Sequence, residues 1–365
     1  MKKKVITKTI DFVIQCVLWN QARYLPAFLG SLRRQTFKNF HLVLLDNNST
    51  DTTRAILDSI DLRDIGEGVS VMRNYRNRGF GHAHDQILST FTRSKWVGIV
   101  NADIVFPPHF LEEMNESLQQ HLEYWLHTPR LMQAQWVEGS AEIDVPLYDM
   151  HPELLAYETG TIDAVGLQLF SSGVIEERGR GLSWENYKDY YPPGPVFGAS
   201  GAALFFEREK LPLLTVTPEG SLFNQLFFAY KEDCELAWRV QERGGGVWCH
   251  SQISLWHFRA LRAQRGLRRI FDFFSFRGER GVLSYQHHIC MLMLHWRLWV
   301  FLPATLMMIL REATRIFFYV ITGRFFIVSS WIWLLRTLPE IFSMRKKMRA
   351  GTMPREHFMR WIKSQ

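Results

Sequence analysis

Several short stretches of the chain combine residue types that do chemistry on phosphates, cations and hydroxyls. Asn101-Ala102-Asp103 follows the apolar run Trp96–Val100, so its carboxylate stands where a buried strand would end. There it can ligate a hard cation that in turn holds phosphate oxygens, or simply cap a turn. Asp46 closes the run Phe40–Leu45 in the same way. It can bond a ribose or a base edge, or form an Asx turn with the polar residues Asn47 to Asp51. In Asn74–Gly81, Arg76 and Arg78 can reach phosphate, while Gly79 and Gly81 admit a ligand close to the backbone. The plain alternative is a glycine turn with solvated arginines. No Gly-Lys-Ser/Thr follows and Gly-x-Gly-x-x-Gly is absent, which excludes a P-loop and a dinucleotide fingerprint. Lys231-Glu232-Asp233 opens a helical pattern. Carboxylates are favoured at a helix start, and one of them can also serve as a general base for a hydroxyl nucleophile. His257, between Trp256 and Phe258, reads either as a core histidine or as a metal ligand.

These residues need elements to hold them. From Asp11 to about Phe110, short apolar runs alternate with helical patterns. Strands are expected at Phe12–Leu18, Phe40–Leu45, Val69–Asn74 and Trp96–Val100. Between them, a helix over Leu25–Gln35 presents Leu25, Phe28, Leu29 and Leu32 on one face, a second spans Thr52–Ile60, and a third follows the loop at Gly79. Such alternation predicts an α/β domain with a mostly parallel sheet, in which ligands bind beyond the carboxyl ends of the strands. Asn20, Asp46 to Asp51, and Asn101 to Asp103 all fall there. From Thr128 to about Pro195 the pattern weakens and reads as an inserted, substrate-facing region of short strands. Gly244-Gly245-Gly246 ends the helix that begins at Glu232, a further strand starts at Val247, and the body is expected to close near Ala260.

Apolar residues at 47% and charged ones at 22% exclude both a disordered chain and a polytopic membrane protein. The net charge of +7 is unevenly spread: residues 1–258 carry 24 Lys+Arg against 31 Asp+Glu, and residues 259–365 carry 19 against 5. A basic tail calls for a polyanionic partner. Its richness in Leu, Ile, Phe, Met and Trp favours an anionic membrane surface over nucleic acid. Ile289–Leu310 contains Arg297, and Phe317–Leu335 contains Arg324. A centred arginine costs about 2.5–3.5 kcal/mol on insertion scales, so interfacial amphipathic helices are expected rather than spans. Helices packed on the body, with their aromatics as core, are one alternative, and a short re-entrant or one-span arrangement is another. Cys16, Cys234, Cys249 and Cys290 form no C-x-x-C pair, which suggests reduced thiols and a cytosolic address. Residues 1–10, with Lys2, Lys3 and Lys4, read as a lead-in to the first strand rather than a signal.

Taken in order, Val17-Leu18-Trp19-Asn20, Leu44 to Asp51, Asn77 to Gly81, Asn101-Ala102-Asp103 and Phe228 to Asp233 resemble the family-two inverting glycosyltransferases, nearest to the bacterial rhamnosyltransferase-like branch. The resemblance covers residues 11 to about 260. It implies a GT-A domain over 11–260, followed by a helical, membrane-associating region over 261–365 on the cytoplasmic face of the cell membrane. It also implies a nucleotide-sugar donor, a glycan or lipid-linked acceptor of the cell envelope, and a divalent cation, Mg²⁺ or Mn²⁺. By that analogy Asp46 contacts the nucleoside, with Asn20, Arg76 and the Gly79–Gly81 loop nearby, and Asp103 is the surviving acid of an Asp-x-Asp motif. Asp233, with Glu232 beside it, supplies the base. His257, which follows Asp233 by 24 residues, matches the family's metal-ligating histidine. Asn101 departs from the motif by replacing its first Asp, which leaves the cation to rely on the diphosphate as co-ligand. The rival from another class is a non-catalytic membrane scaffold on a degenerate fold of this kind.

Overall fold

The computed structural model describes residues 10–136, 156–217, 220–258, 278–296, 298–323, 326–348 and 360–363. The lead-in at residues 1–9 and the tail arginines Arg297 and Arg324 lie outside the described residues.

Strands β1 (Phe12–Leu18), β2 (Phe40–Asp46), β3 (Gly68–Arg73) and β4 (Trp96–Val100) pair in parallel in the order β4-β1-β2-β3. Helices α1 (Leu25–Arg33), α2 (Thr53–Ser59) and α3 (Phe80–Thr90) make the connections. The sheet is covered on both faces, which is why β1, β2 and β4 read as continuous apolar runs rather than alternating ones. In α1 the expected face is the buried one: Leu25, Phe28, Leu29 and Leu32 are no more than 1% exposed.

Beyond β4 the sheet becomes mixed. A short β5 (Ile104–Val105) and α4 (Phe110–Gln119) lead into β6 (Leu126–Trp136), a central strand of the same ten-stranded sheet. This corrects the reading of the chain after Thr128 as the start of an insertion. Pro129 and Arg130 argue against a central strand, yet a register shift opposite this point, between His250 and Ser254 of the neighbouring strand, accommodates them. Short elements do follow: β7 (Ala156–Ala164), β8 (Leu167–Phe170), β9 (Ile175–Glu177), α5 (Trp184–Tyr187) and β10 (Gly194–Val196). Next come β11 (Ala203–Glu207), α6 (Leu211–Leu214), α7 (Glu232–Glu242) and β12 (Val247–His257). The sheet order is β10-β12-β6-β11-β4-β1-β2-β3, with β7 joined to β6 and β5 to β12. The described cysteines are all unpaired and buried.

The tail forms α8 (Gly278–His295), α9 (Leu298–Ile321) and α10 (Phe326–Met348), and β13 (Ile362–Lys363) pairs with β8. Helices α8 and α10 pack on the body: Tyr285, Ile289, Met291, Leu334 and Ile341 share one apolar cluster with Leu167, Phe197, Ala237 and Trp238. His295 of α8 is buried against α7, with Nδ1 2.9 Å from Glu242 Oε2 and Nε2 3.3 Å from Glu235 Oε1. Helix α9 is turned the other way. Its Glu312 and Arg315 are buried, and Arg311 donates to His288 Nε2 at 2.9 Å. Leu306, Ile309, Leu310, Phe317, Val320 and Ile321 recur at helical spacing on the opposite side and are 47–72% exposed. No described helix is long and apolar enough to cross a membrane.

Candidate active site

The loops after β1 and β2 are tied together by side chains. Asn20, in the left-handed region at φ 56°, accepts Thr50 N–H at 2.8 Å through Oδ1 and gives its own N–H to Ser49 Oγ at 3.0 Å. Asp46 is fully buried. Its Oδ1 accepts Ser49 N–H at 2.9 Å and its Oδ2 accepts Arg54 Nε at 2.5 Å. Arg54 spans onward to Asn48 Oδ1 and Asn74 O. Asp46 thus supports the wall of the cleft, and Arg54 carries its charge toward solvent.

Asn47 organises the next loop. Its amide donates to Asn77 Oδ1 at 2.8 Å, and its Oδ1 accepts Asn74 Nδ2 at 3.0 Å and Arg78 N–H at 3.1 Å. Gly79 adopts φ +82°, and a Cβ there would sit 2.5 Å from Phe228 O, so glycine is required twice over. Phe80 N–H donates to the same carbonyl at 2.8 Å, and a Cβ on Gly81 would meet Phe223 at 2.7 Å. The 74–81 loop is therefore seated on the segment that precedes α7. Arg76 and Arg78 project from it, exposed.

Asp103 leaves β4 toward the end of β12. Its Oδ2 lies 3.3 Å from His257 Nε2, and its backbone carbonyl accepts Phe258 N–H at 2.8 Å. His257 Nδ1 is 2.7 Å from Oδ2 of Asp163, a fully buried carboxylate on β7. Burial disfavours charge on this ring, but Asp103 and Asp163 outweigh it and push the His257 pKa up to about 10. A carboxylate that fixes one ring nitrogen while the other faces a ligand site is the usual second support of a metal-binding histidine. Among the described residues, Asp103 Oδ1 is buried without a partner. Among the described residues no three metal-capable side chains converge. Asp103 and His257 therefore fit as two donors to a divalent cation that displaces the Nε2 proton between them, with the rest of its coordination left to ligand oxygens and water.

Asp233 stands at the first turn of α7. Its Oδ2 accepts Gly201 N–H at 2.9 Å, and a Cβ on Gly201 would fall 3.2 Å from Asp233 Cβ. The next residue, Ala202, accepts Asn101 N–H at 3.0 Å. One turn, Ser200–Ala202, thereby holds both the candidate base and the Asn101–Asp103 segment. Glu232, beside Asp233, is buried, and among the described residues its Oε2 has no partner. Burial, reinforced by the charge of Asp233, pushes the Glu232 carboxyl well above the usual carboxylate range. Asp233 is only half-buried, which leaves it open to an incoming hydroxyl.

Asn20, Asp46, Gly79, Gly81, Asp103, Glu232, Asp233 and His257 are thus linked through loops at the carboxyl ends of the strands. Arg76 has no contact that binds it into this network. The sequence alone does not point to Asp163, and it gives Asn47 and Gly201 no individual role within the loops that contain them. A lone carboxylate inside the apolar run Ile162–Val165 was the available signal for Asp163.

Residues 16–131 match the family profile described as Glycosyl transferase family 2. Glycosyltransferase GlyG of Streptococcus pneumoniae is 23% identical over 103 residues, 28% of this chain and 33% of that protein. An uncharacterized glycosyltransferase of Haemophilus influenzae is 26% identical over 109 residues, 30% of this chain and 32% of that protein. The matched stretch spans about a third of the length of these relatives. The crystal structure of GalNAc-T7 with UDP, GalNAc and Mn²⁺ superposes with a TM-score of 0.54 at 12% identity, covering 80% of this chain and 49% of that one. The fold is GT-A, as expected from the sequence.

Proposed function

We propose that this chain is an inverting glycosyltransferase that moves a sugar of the hexosyl or rhamnosyl class from a nucleotide-sugar donor to a hydroxyl of a glycan or lipid-linked acceptor of the cell envelope. The observation that carries the reading is the shared turn: Gly201 holds Asp233, and Ala202 holds the strand end bearing Asp103. Base and diphosphate site then face one reacting centre. Asp233 takes the proton from the acceptor hydroxyl as it attacks the anomeric carbon opposite the leaving diphosphate. A single displacement of this kind inverts that centre. Asn20, Asn47 and the Gly79–Gly81 loop shape the donor end, with Asp46 and Arg54 behind them. Asp103 and His257 would hold the divalent cation, Mg²⁺ or Mn²⁺, which neutralises charge on the leaving group.

The outward apolar face of α9, with Lys346 and Lys347 of α10 exposed nearby in the chain, supports docking on an anionic leaflet, on the cytoplasmic side of the membrane. The test of the activity is a screen of purified protein against a panel of nucleotide sugars with Mn²⁺, scored by nucleoside diphosphate release. Release from one donor that Asp233→Asn abolishes supports the reading. No release from any donor, with no binding of nucleoside diphosphate, overturns it.

A further inference from the structure

Two residues immediately ahead of α7 adopt backbone that side chains disfavour. Tyr230 has φ 69° and Lys231 has φ 73°, both left-handed and neither glycine. This pair sets the direction in which Glu232 and Asp233 enter the helix. Something outside the segment must hold it.

Lys231 Nζ donates to Ile175 O at 3.4 Å, and a second hold comes from the tail. His287, in the middle of α8, has Nδ1 2.8 Å from Ala229 O and 3.0 Å from Tyr230 O. Both partners are carbonyls, so Nδ1 carries the proton and donates to both. The ring is 1% exposed. It packs against Phe227 of the same segment, with centroids 5.2 Å apart, and against Trp333 of α10 at 5.9 Å. Burial keeps it neutral, which leaves a single N–H to give. The Phe228 carbonyl, next in line, already receives Phe80 N–H from the donor loop. Consecutive carbonyls at 228, 229 and 230 are thus taken by the donor loop on one side and the tail on the other.

We infer that His287 is a positioning residue for the transfer reaction, fixing the left-handed turn that aims Asp233. The tail is then part of the catalytic apparatus and not only a means of attachment. This rests on the reading of Asp233 as the base.

An amide at position 287 separates geometry from packing. Asparagine places its N–H close to where Nδ1 sits; glutamine places it near Nε2. Turnover of full-length protein is measured as nucleoside diphosphate release from whichever donor the nucleotide-sugar panel identifies. Binding of UDP or GDP with Mn²⁺ is measured in parallel by calorimetry. His287→Asn should keep turnover within a few-fold of the parent. His287→Gln and His287→Leu should lower kcat about tenfold to a hundredfold, the usual effect of misaligning a catalytic group. Donor KM and nucleotide binding should stay within about twofold in all three. Equal kcat for His287→Asn and His287→Gln overturns the inference, whether or not His287→Leu folds. Asp233→Asn, assayed alongside, keeps the two ideas apart. Parent-level turnover in that variant removes the base assignment, whereas an inactive Asp233→Asn with a fully active His287→Gln removes only the role of His287.

Discussion

Asp163 Oδ2 and His257 Nδ1 lie 2.7 Å apart, on strands that both pair with β6. Ring orientation at His257 is therefore set from a strand remote from it in sequence. Loss of such a support costs about 10–100-fold in metal affinity. Asp163→Asn should weaken Mn²⁺-dependent binding of nucleoside diphosphate by that factor, read by titrating Mn²⁺ at fixed nucleotide. An unchanged Mn²⁺ midpoint would sink the assignment of His257 as a ligand.

The two carboxylates opening α7 should respond differently to amide substitution. Asp233→Asn still accepts the Gly201 N–H but cannot take a proton, and turnover should fall about 10²–10⁴-fold. Burial favours the protonated form of Glu232, so Glu232→Gln keeps a neutral group of similar shape there. It should stay within a few-fold of the parent at pH 7. Reversal of these two results in a nucleoside diphosphate release assay would move the base to Glu232.

Gly79→Ala combines a disfavoured φ of +82° with a methyl 2.5 Å from Phe228 O. Strain of this kind costs about 1–3 kcal/mol. Nucleoside diphosphate binding should weaken more than tenfold, since the loop must lift from the segment it rests on. Calorimetry on the folded variant provides the check, and parent-like affinity would show that the loop does not touch the donor.

His84, on α3, is fully buried between Phe80 and Phe223, and among the described residues both of its ring nitrogens lack partners. Burial pushes its pKa down to about 3. Between pH 6.5 and 3 the unfolded chain takes up a proton that the folded one refuses, so this residue makes stability fall as pH drops through that window and has no effect above it. His84→Leu should shrink the difference in melting temperature between pH 5 and pH 7.5. A difference as large as the parent's would mean that the acid sensitivity arises elsewhere.

The outward face of α9 gives a test of membrane docking. Leu310→Glu and Phe317→Glu alter exposed positions and should leave the melting temperature unchanged. Both should reduce co-sedimentation with phosphatidylglycerol-containing vesicles. High salt should release only part of the parent protein, because screening removes lipid attraction but not apolar burial. Full release by salt alone would exclude insertion of this face.

The parallel half of the sheet was legible because β1, β2 and β4 are continuous apolar runs closed by polar residues, and α1 repeats at helical spacing. Strand β6 was hidden by Pro129 and Arg130, whose tolerance depends on an irregularity in a partner strand more than a hundred residues away. Asp103, Asp233 and His257 could be singled out through motif order, and the fold brings the loops that carry them together. Asp163 and Gly201 could not, because each matters through a partner distant in sequence. The placement of the tail was not legible, because its aromatic and basic composition does not say which side of each helix turns inward: α8, α10 and Tyr319 of α9 add to the core, while α9 and α10 both leave large apolar side chains exposed.

Several polar contacts of the tail reach back along the chain. His287 and His295 of α8 reach back to residues 229–242; Arg311 and Arg315 of α9 reach back to His288 and Tyr285; Arg345 of α10 reaches back to the carbonyls of Met293 and Trp296. Each of these polar anchors finds its partner on a segment made earlier. As the polypeptide leaves the ribosome, α8 and α9 can therefore begin to dock on segments already made, while the burial of α8 is completed only when α10 brings Trp333 onto His287.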